Sequence, residues 1–297
     1  MPPDPNWATF TAPASKQDEL KRLLAVPWVP GPVLLCLVMV IGGTLCLDAL
    51  ALGGRLALHW AAVGNGLLMY FMFTVAHDAI HRSAARSQRL NDWIGRIGLL
   101  FVFPHVSLGV FRWAHIQHHR FTNGPRDPDG WLHGPWWQAP LRFLFIDLGY
   151  LIFITRHGDA VGRRHLRTTL VAAALTLAAV ALLTRQGHGR EVLWLWFLPS
   201  RFSLLATGFM FFWLPHVKHD VPAARDLTQA SSIRLGHEWL LTPLMQGHNY
   251  HLIHHLYPAM PSNRHEAAWR LLAPELHQRN LQIQHGFAIQ PVIHHAP

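Results

Sequence analysis

Charge is what this chain has least of. Only 14% of its 297 residues are Asp, Glu, Lys or Arg, while 51% are hydrophobic; a water-soluble domain of this size carries about 25% charged residues. An ordinary cytosolic enzyme is therefore disfavoured. Cysteine is scarce as well: Cys36 and Cys46 are the only two, which excludes a disulfide scaffold and a cysteine-only metal site. No Gly-rich nucleotide loop follows a strand-like run, and no haem- or flavin-binding segment is visible. The N-terminal segment, residues 1–30, is polar and Pro-rich and carries Lys16, Lys21 and Arg22. It lacks the short apolar core and small-residue cleavage site of a signal peptide, so it is expected to stay on the mature protein. Acidic residues number 16 against 25 basic ones, a net charge of +9. The cations are mostly dispersed Arg rather than a basic arm, so nucleic acid is not the expected partner.

What is present points to a bilayer. Thirteen Trp, sixteen Phe and twenty-one Pro exclude a disordered chain, since such residues need burial or an interface. Four apolar stretches, at about 33–52, 56–76, 168–184 and 192–214, approach the ~20 residues that cross a membrane. Asp48 and Arg201 lie within or near the ends of two of them, where a charge must face protein or the interface. Twelve arginines fall between Arg82 and Arg167, whereas the short connections hold Arg55 in one case and Arg185 and Arg190 in the other. The positive-inside rule then puts the N-terminus, the long middle segment and the C-terminal segment in the cytoplasm. Two further apolar runs, 93–110 and 141–154, are interrupted by Arg96, Pro104, Arg142 or Asp147 and read as interfacial helices. The expected architecture is an all-α, multi-pass membrane protein: one domain over 1–297, with four transmembrane helices and a cytoplasmic helical cap.

Histidine is the surplus residue, at 23 copies. Three clusters stand out: His77 and His81; His115, His118 and His119; and His251, His254 and His255, with His248 one turn earlier. Residues three or four apart share a helix face, so each cluster aims its imidazoles one way. Neutral imidazole is a common ligand for Fe, Cu, Zn and Ni. A lone His-x-x-x-His pair is ordinarily solvated or hydrogen-bonded. Three clusters on one side of a membrane are not explained that way, and eight imidazoles suit two metal ions. The other histidines lack this spacing. His59, inside a span, reads as a buried polar contact. His105, His133, His157, His165, His188, His237, His265 and His277 read mostly as surface or interface residues, and His294 and His295 as adventitious binders.

At these residues the chain resembles the membrane fatty acid desaturase superfamily, which also contains carotenoid ring hydroxylases and ketolases. The resemblance runs from about Phe73 to Arg264. It rests on His77-Asp78-Ala-Ile-His81, on Trp113-Ala-His115-Ile-Gln-His118-His119-Arg120-Phe-Thr-Asn123 with Asp127-Pro-Asp129 after it, and on Gly247-His248-Asn249-Tyr250-His251-Leu-Ile-His254-His255-Leu-Tyr257-Pro258. It implies a non-haem di-iron centre held by His77, His81, His115, His118, His119, His251, His254 and His255. It also implies a ninth ligand just beyond the last span, where His216 stands, with His219 and His248 as reserves. Asp78 and Asp129 are expected to orient ligating imidazoles, as carboxylates commonly do; a helix-start carboxylate and a turn residue are equally good readings.

Two irons activating O2 can attack C–H bonds that have neither an acidic proton nor a leaving group, chemistry that a cofactor must supply. The leading expectation is an O2-dependent fatty acyl desaturase of a bacterial inner membrane, with its site on the cytoplasmic side. Its substrate would enter from the bilayer, and its electrons would come from a separate ferredoxin or cytochrome b5-like donor. The alternative with the same centre is a carotenoid ring hydroxylase or ketolase, favoured by the short chain, Trp213-Leu-Pro215-His216 and the run from His248 to Pro258. A metal transporter or sensor fits less well, because transporters place ligands near the midplane at breaks in their spans. Trp131, Trp136 and Trp137 read as an interfacial belt.

Overall fold

A lipid-exposed backbone must pair its own amides, so uninterrupted apolar runs become helices. The computed structural model, which describes residues 9–297, is built largely on that rule; residues 1–8 of the polar N-terminal segment lie outside the described residues. A short amphipathic helix, α1 (Gln17–Leu24), leads to α2 (Gly31–Leu52), which opens with a proline in its first turn, and α3 (Leu58–Ile80). Next come α4 (Gln88–Val102), α5 (Leu108–Phe121), α6 (Ala139–Leu144) and α7 (Ile146–His157). A longer helical course follows: α8 (Ala160–Leu183), a single turn α9 (Gly189–Glu191), π-helical Val192–Phe197, α10 (Leu198–Thr207) and π-helical Gly208–Trp213. It is broken at Gly187, whose φ of 92° only glycine adopts at little cost. The chain ends with α11 (Glu238–Leu244), α12 (His251–Leu256) and α13 (His265–Leu276), together with three short strands.

Among the described residues, three helical runs are long and apolar enough to cross a membrane: Gly31–Leu52, Leu58–Ile80 and Ala160–His216. A fourth is reached if Trp136–Leu144 and Ile146–His157, bent by 84°, count as one. The elements differ from the expected boundaries in places. α3 continues to Ile80, so His77 sits in its last turn and His81 caps it, rather than both lying beyond its end. The 93–110 run is two helices, parted at Phe103–Ser107 around Pro104. The all-α expectation needs correcting: β1 (Ser232–Leu235), β2 (Leu281–His285) and β3 (Val292–His294) form a sheet, β1 parallel to β2 and β2 antiparallel to β3.

Packing separates two units. One comprises Trp28–His115 and Gly134–Gly208. Here α3 is the hub, with α2, α4, Val192–Phe197 and α10 packed on it. Only 17% of the apolar window of α2 is buried, and Leu35, Val38, Met39 and Leu45 point outward. Such faces are stable in lipid rather than in water. The charged groups placed inside this unit are paired. Asn65 donates to Asp48 at 2.8 Å and to the Leu195 carbonyl at 3.1 Å, and Arg201 donates to Asp147 at 3.0 Å. Asp48 and Arg201 thus face protein, as expected. His59 does not: it lies exposed in the first turn of α3 beside Trp60, because a side chain there reaches out of the packing.

The other unit comprises the described residues up to Pro27, Ile116–His133 and Phe209–Pro297. Ile233, Leu252, Ile253, Leu272, Leu276 and Leu281 are fully buried in its core. α1 packs on α13, fastened by Lys16 to Glu275 at 2.5 Å and by Arg264, which donates to the carbonyls of Arg22, Leu23 and Ala25 at the end of α1. Gly247 lets the chain enter the third histidine cluster. Its φ is 82°, and a Cβ would stand 2.7 Å from the Ser262 carbonyl oxygen.

Candidate metal centre

The second histidine cluster owes its direction to α5. Ser107 caps that helix, its hydroxyl accepting from Val110 N at 3.2 Å. The helix carries His115 and His118 one turn apart. After it, Asn123 takes a left-handed turn (φ 58°) and the carboxylate of Asp127 gathers the loop, accepting from Asn123 N at 2.7 Å and Asp129 N at 2.9 Å. The same carboxylate accepts from His118 Nδ1 at 2.9 Å, and Asp129 lies 3.2 Å from that nitrogen.

Four buried imidazoles, His118, His216, His251 and His255, present nitrogen atoms that all lie within 4.8 Å of one another. The outer nitrogens of three of them are committed elsewhere. The carbonyl of Ala230 accepts from His216 Nδ1 at 2.8 Å, so the Nε2 of His216 is a bare lone pair. Thr122 spends its hydroxyl proton on the His118 carbonyl at 2.7 Å and therefore can only accept from His255 Nδ1, 3.5 Å away. With the protons of His216 and His255 on Nδ1, two lone pairs converge, and His118, held through Nδ1 by Asp127, adds a third once it gives up its second proton. His251 Nε2 stands 3.0 Å from His216 Nε2 and 3.2 Å from His255 Nε2. The Nδ1 of His251 has no hydrogen-bond partner, so in the metal-free protein its proton can sit on Nε2 and bridge to those lone pairs; a cation taking its place would meet four nitrogens. The donor set thus fits a nitrogen-liganded transition metal such as iron.

In the first unit His77, His81 and His115 form a second group. His77 Nε2 is 3.1 Å from His115 Nε2, and the ring centroids are 4.8–4.9 Å apart. His119 and His254 are neighbours in the other unit, with centroids 4.6 Å apart, and His119 lies 4.3 Å from His255. All nine expected ligands therefore stand in histidine clusters, and His216 belongs to the tetrad. Of its two reserves, His248 lies buried beside His251, His254 and His265, and His219 lies against His133. Asp78 is buried in the last turn of α3.

Electrostatics follow from burial. Burial alone would push the His118 imidazolium down, but Asp129 and Asp127 outweigh it and raise its pKa to about 9 in the metal-free protein. Burial, reinforced by neighbouring imidazoles, pushes His251 and His255 well below their usual value. The same forces take His248 and His219 down to about 3, and burial takes His265 to about 4. These rings are neutral, the form that binds metal.

Several functional residues escaped the sequence reading. Asp127 orients His118 more closely than Asp129 does; its signal was the Asp-Pro turn beside it. Asn123 ties the loop to the carbonyls of Val221 and Ala230 at 3.0 and 2.9 Å, so Ala230 links it to His216. His265, read as a surface or interface residue, is instead 1% exposed and packs against His254 and His248, because α13 turns its first residue into the core. Trp136 and Trp137 are exposed, 85% and 62%, as a membrane-interface belt requires.

A sequence model of the fatty acid desaturase family matches residues 55–287. The chain belongs to that family. It is a desaturase-like oxidoreductase. A beta-carotene ketolase of Paracoccus sp. is 30% identical over 192 residues, covering 64% of this chain and 70% of that protein. An sn-1 acyl-lipid omega-3 desaturase (ferredoxin) of Synechocystis sp. is 23% identical over 239 residues, 71% of this chain and 66% of that protein. An sn-1 oleoyl-lipid 12-desaturase of Arthrospira platensis is 36% identical over 72 residues, covering 24% of this chain but only 19% of the desaturase.

Proposed function

We propose that this desaturase-family chain is an O2-dependent di-iron enzyme that oxidises an unactivated C–H bond of a membrane lipid, with acyl desaturation as the leading reaction. The observation that carries this reading is the buried tetrad, whose nitrogens lie within 4.8 Å of one another, with three of its rings held at Nδ1 so that Nε2 faces the group. His77, His81, His115, His118, His119, His216, His251, His254 and His255 are the proposed ligands of two irons. Asp127, Asp129 and the Ala230 carbonyl keep the rings in the ligating tautomer, Asp78 has the same proposed role at the first cluster, and His248 backs the third. When bound, the metal supplies, with O2 and two external electrons, the power to remove hydrogen from an aliphatic carbon.

The chain's own contribution is position. Alkene formation removes hydrogen from two adjacent carbons, whereas hydroxylation leaves oxygen on one, and near-contact geometry decides between them. The second reading, oxygenation of a carotenoid ring, is favoured by the long match to the beta-carotene ketolase. A separate carrier supplies the electrons; ferredoxin is the first choice, since the name of the Synechocystis relative specifies it. The chain forms one four-span domain with both ends and its histidines on the cytoplasmic side of a bacterial inner membrane, with Gly187 dividing the last two spans.

The test is expression in a host supplying both acyl chains and carotenoids, followed by mass spectrometry of the extracted lipids. A new double bond in fatty acids supports desaturation, and a new oxygen on a carotenoid ring supports the second reading. Purified protein holding no iron and consuming no O2 with a reductant would overturn both.

A further inference from the structure

In the first unit, α4, the turn after it and the beginnings of α5 and α8 enclose a cavity of about 480 Å3. Three guanidiniums, Arg96, Arg112 and Arg164, line it against a single carboxylate, Asp92. That carboxylate is already engaged: Arg112 donates to it at 2.5 Å, and to the carbonyls of Ala79 and Ile80 at 2.9 and 3.1 Å. Burial pushes Asp92 up, but Arg112, helped by Asn91 and by the more distant charge of Arg96, overcomes this and holds its carboxyl below the ordinary range; one carboxylate thus stands against three guanidiniums. Arg96 and Arg164 form no ion pair among the described residues. Arg96 lies over the Trp93 ring, 5.4 Å from its centroid.

The rest of the wall is mixed. Ser107, His165 and Thr168 offer hydrogen-bonding groups, and Leu99, Leu100 and Leu108 form an apolar side. At Gly109 the wall is closely packed, since a Cβ would stand 2.2 Å from His165 Nδ1. On the outer face of α4, Trp93, Ile97 and Leu100 are exposed at the i, i+4 and i+7 spacing of one stripe. Leu100 belongs to both stripe and cavity. An apolar stripe running into a cationic cavity matches an anionic amphiphile. A small anion would use the guanidiniums and leave the stripe uncovered, whereas a phospholipid uses both.

We propose that this cavity binds the phosphate of an anionic phospholipid, with an acyl chain lying along Trp93, Ile97 and Leu100. The site is separate from the histidine clusters, and its test reads binding alone, so it stands or falls apart from the proposed oxidation. Purified full-length protein in detergent is titrated with phosphatidylglycerol, phosphatidylcholine or inorganic phosphate, and bound lipid is counted by native mass spectrometry. The expected result is one phosphatidylglycerol per chain, held about thirtyfold more weakly by R96Q/R164Q, from roughly fivefold for each cation near an anionic headgroup. The charge-conserving R96K/R164K should keep most of the affinity, which separates loss of charge from loss of fold. Phosphatidylcholine should bind both forms alike. Equal retention of phosphatidylglycerol by wild type and R96Q/R164Q would overturn the proposal. Inorganic phosphate competing as strongly as the lipid would assign the cavity to free anions and overturn it too.

Discussion

At the scale of single residues, the tetrad turns on where each imidazole keeps its proton. Replacing His118 or His254 by Ala should lower bound iron and abolish lipid oxidation while leaving membrane insertion intact. His294→Ala should change neither, because the Nε2 of His294 is occupied by the His277 carbonyl at 2.9 Å. Metal analysis of purified protein and lipid mass spectrometry check both. Asp127→Asn removes the charge that orients His118 and should weaken iron binding by about 10–100-fold, the usual effect of removing such a partner. The sign of the pH dependence follows from the same carboxylates. Metal-free His118 holds its proton up to about pH 9, above its ordinary value, so an incoming ion must displace it at neutral pH. Iron affinity should therefore rise with pH, by up to about tenfold per unit from this proton, and level off near 9. Anaerobic titration at several pH values measures the slope; a slope unchanged in D127N/D129N would remove His118 as its source.

At the scale of elements, the end of α3 is held by close helix packing. A Cβ on Gly95 of α4 would lie 2.6 Å from Ala79 Cβ and 2.8 Å from Leu108 Cδ1. Gly95→Ala should thus cost about 1–3 kcal/mol by overpacking and, by shifting the turn that carries His77, reduce iron content. Gly42→Ala in α2, which meets nothing within 4 Å, should leave Tm unchanged or slightly raised, since Ala favours a helix. Elements of this kind were legible in the sequence, because an apolar run or a His-x-x-His-His spacing declares itself locally. The sheet was not. Its strands are three to five residues long, and β1 meets β2 across fifty residues. The apolar face of β2 is only two residues long, Leu281 and Ile283, and the glutamines alternating with them are buried as well, Gln284 satisfying the Leu214 and Ile289 carbonyls, so the alternation is too short to declare a strand. The partners of the imidazoles were hidden for a related reason. Ala230 contributes a carbonyl oxygen, which no residue type announces, and Thr122 and Asn123 act only once the loop has closed.

At the scale of the whole molecule, arginine and lipid-facing leucine make one argument. The apolar surfaces of Gly31–Leu52 and Ala160–His216, 17% and 6% buried over their most apolar windows, require a bilayer. The twelve arginines of the middle segment oppose translocation of that segment. If four helices cross, residues near Arg55 and Gly187 face the opposite side from the middle segment. In a background where Cys36 and Cys46 are replaced by Ala, a cysteine at position 55 or 187 should react with an impermeant maleimide added to intact cells. A cysteine at exposed Trp136, or at Phe287 in the C-terminal segment, should react only after the cells are opened. Labelling of position 136 from outside would put an odd number of crossings before it. The histidine clusters would then either lie on opposite sides of the membrane or face away from the cytoplasmic electron supply, and the oxidation mechanism would fail with the topology.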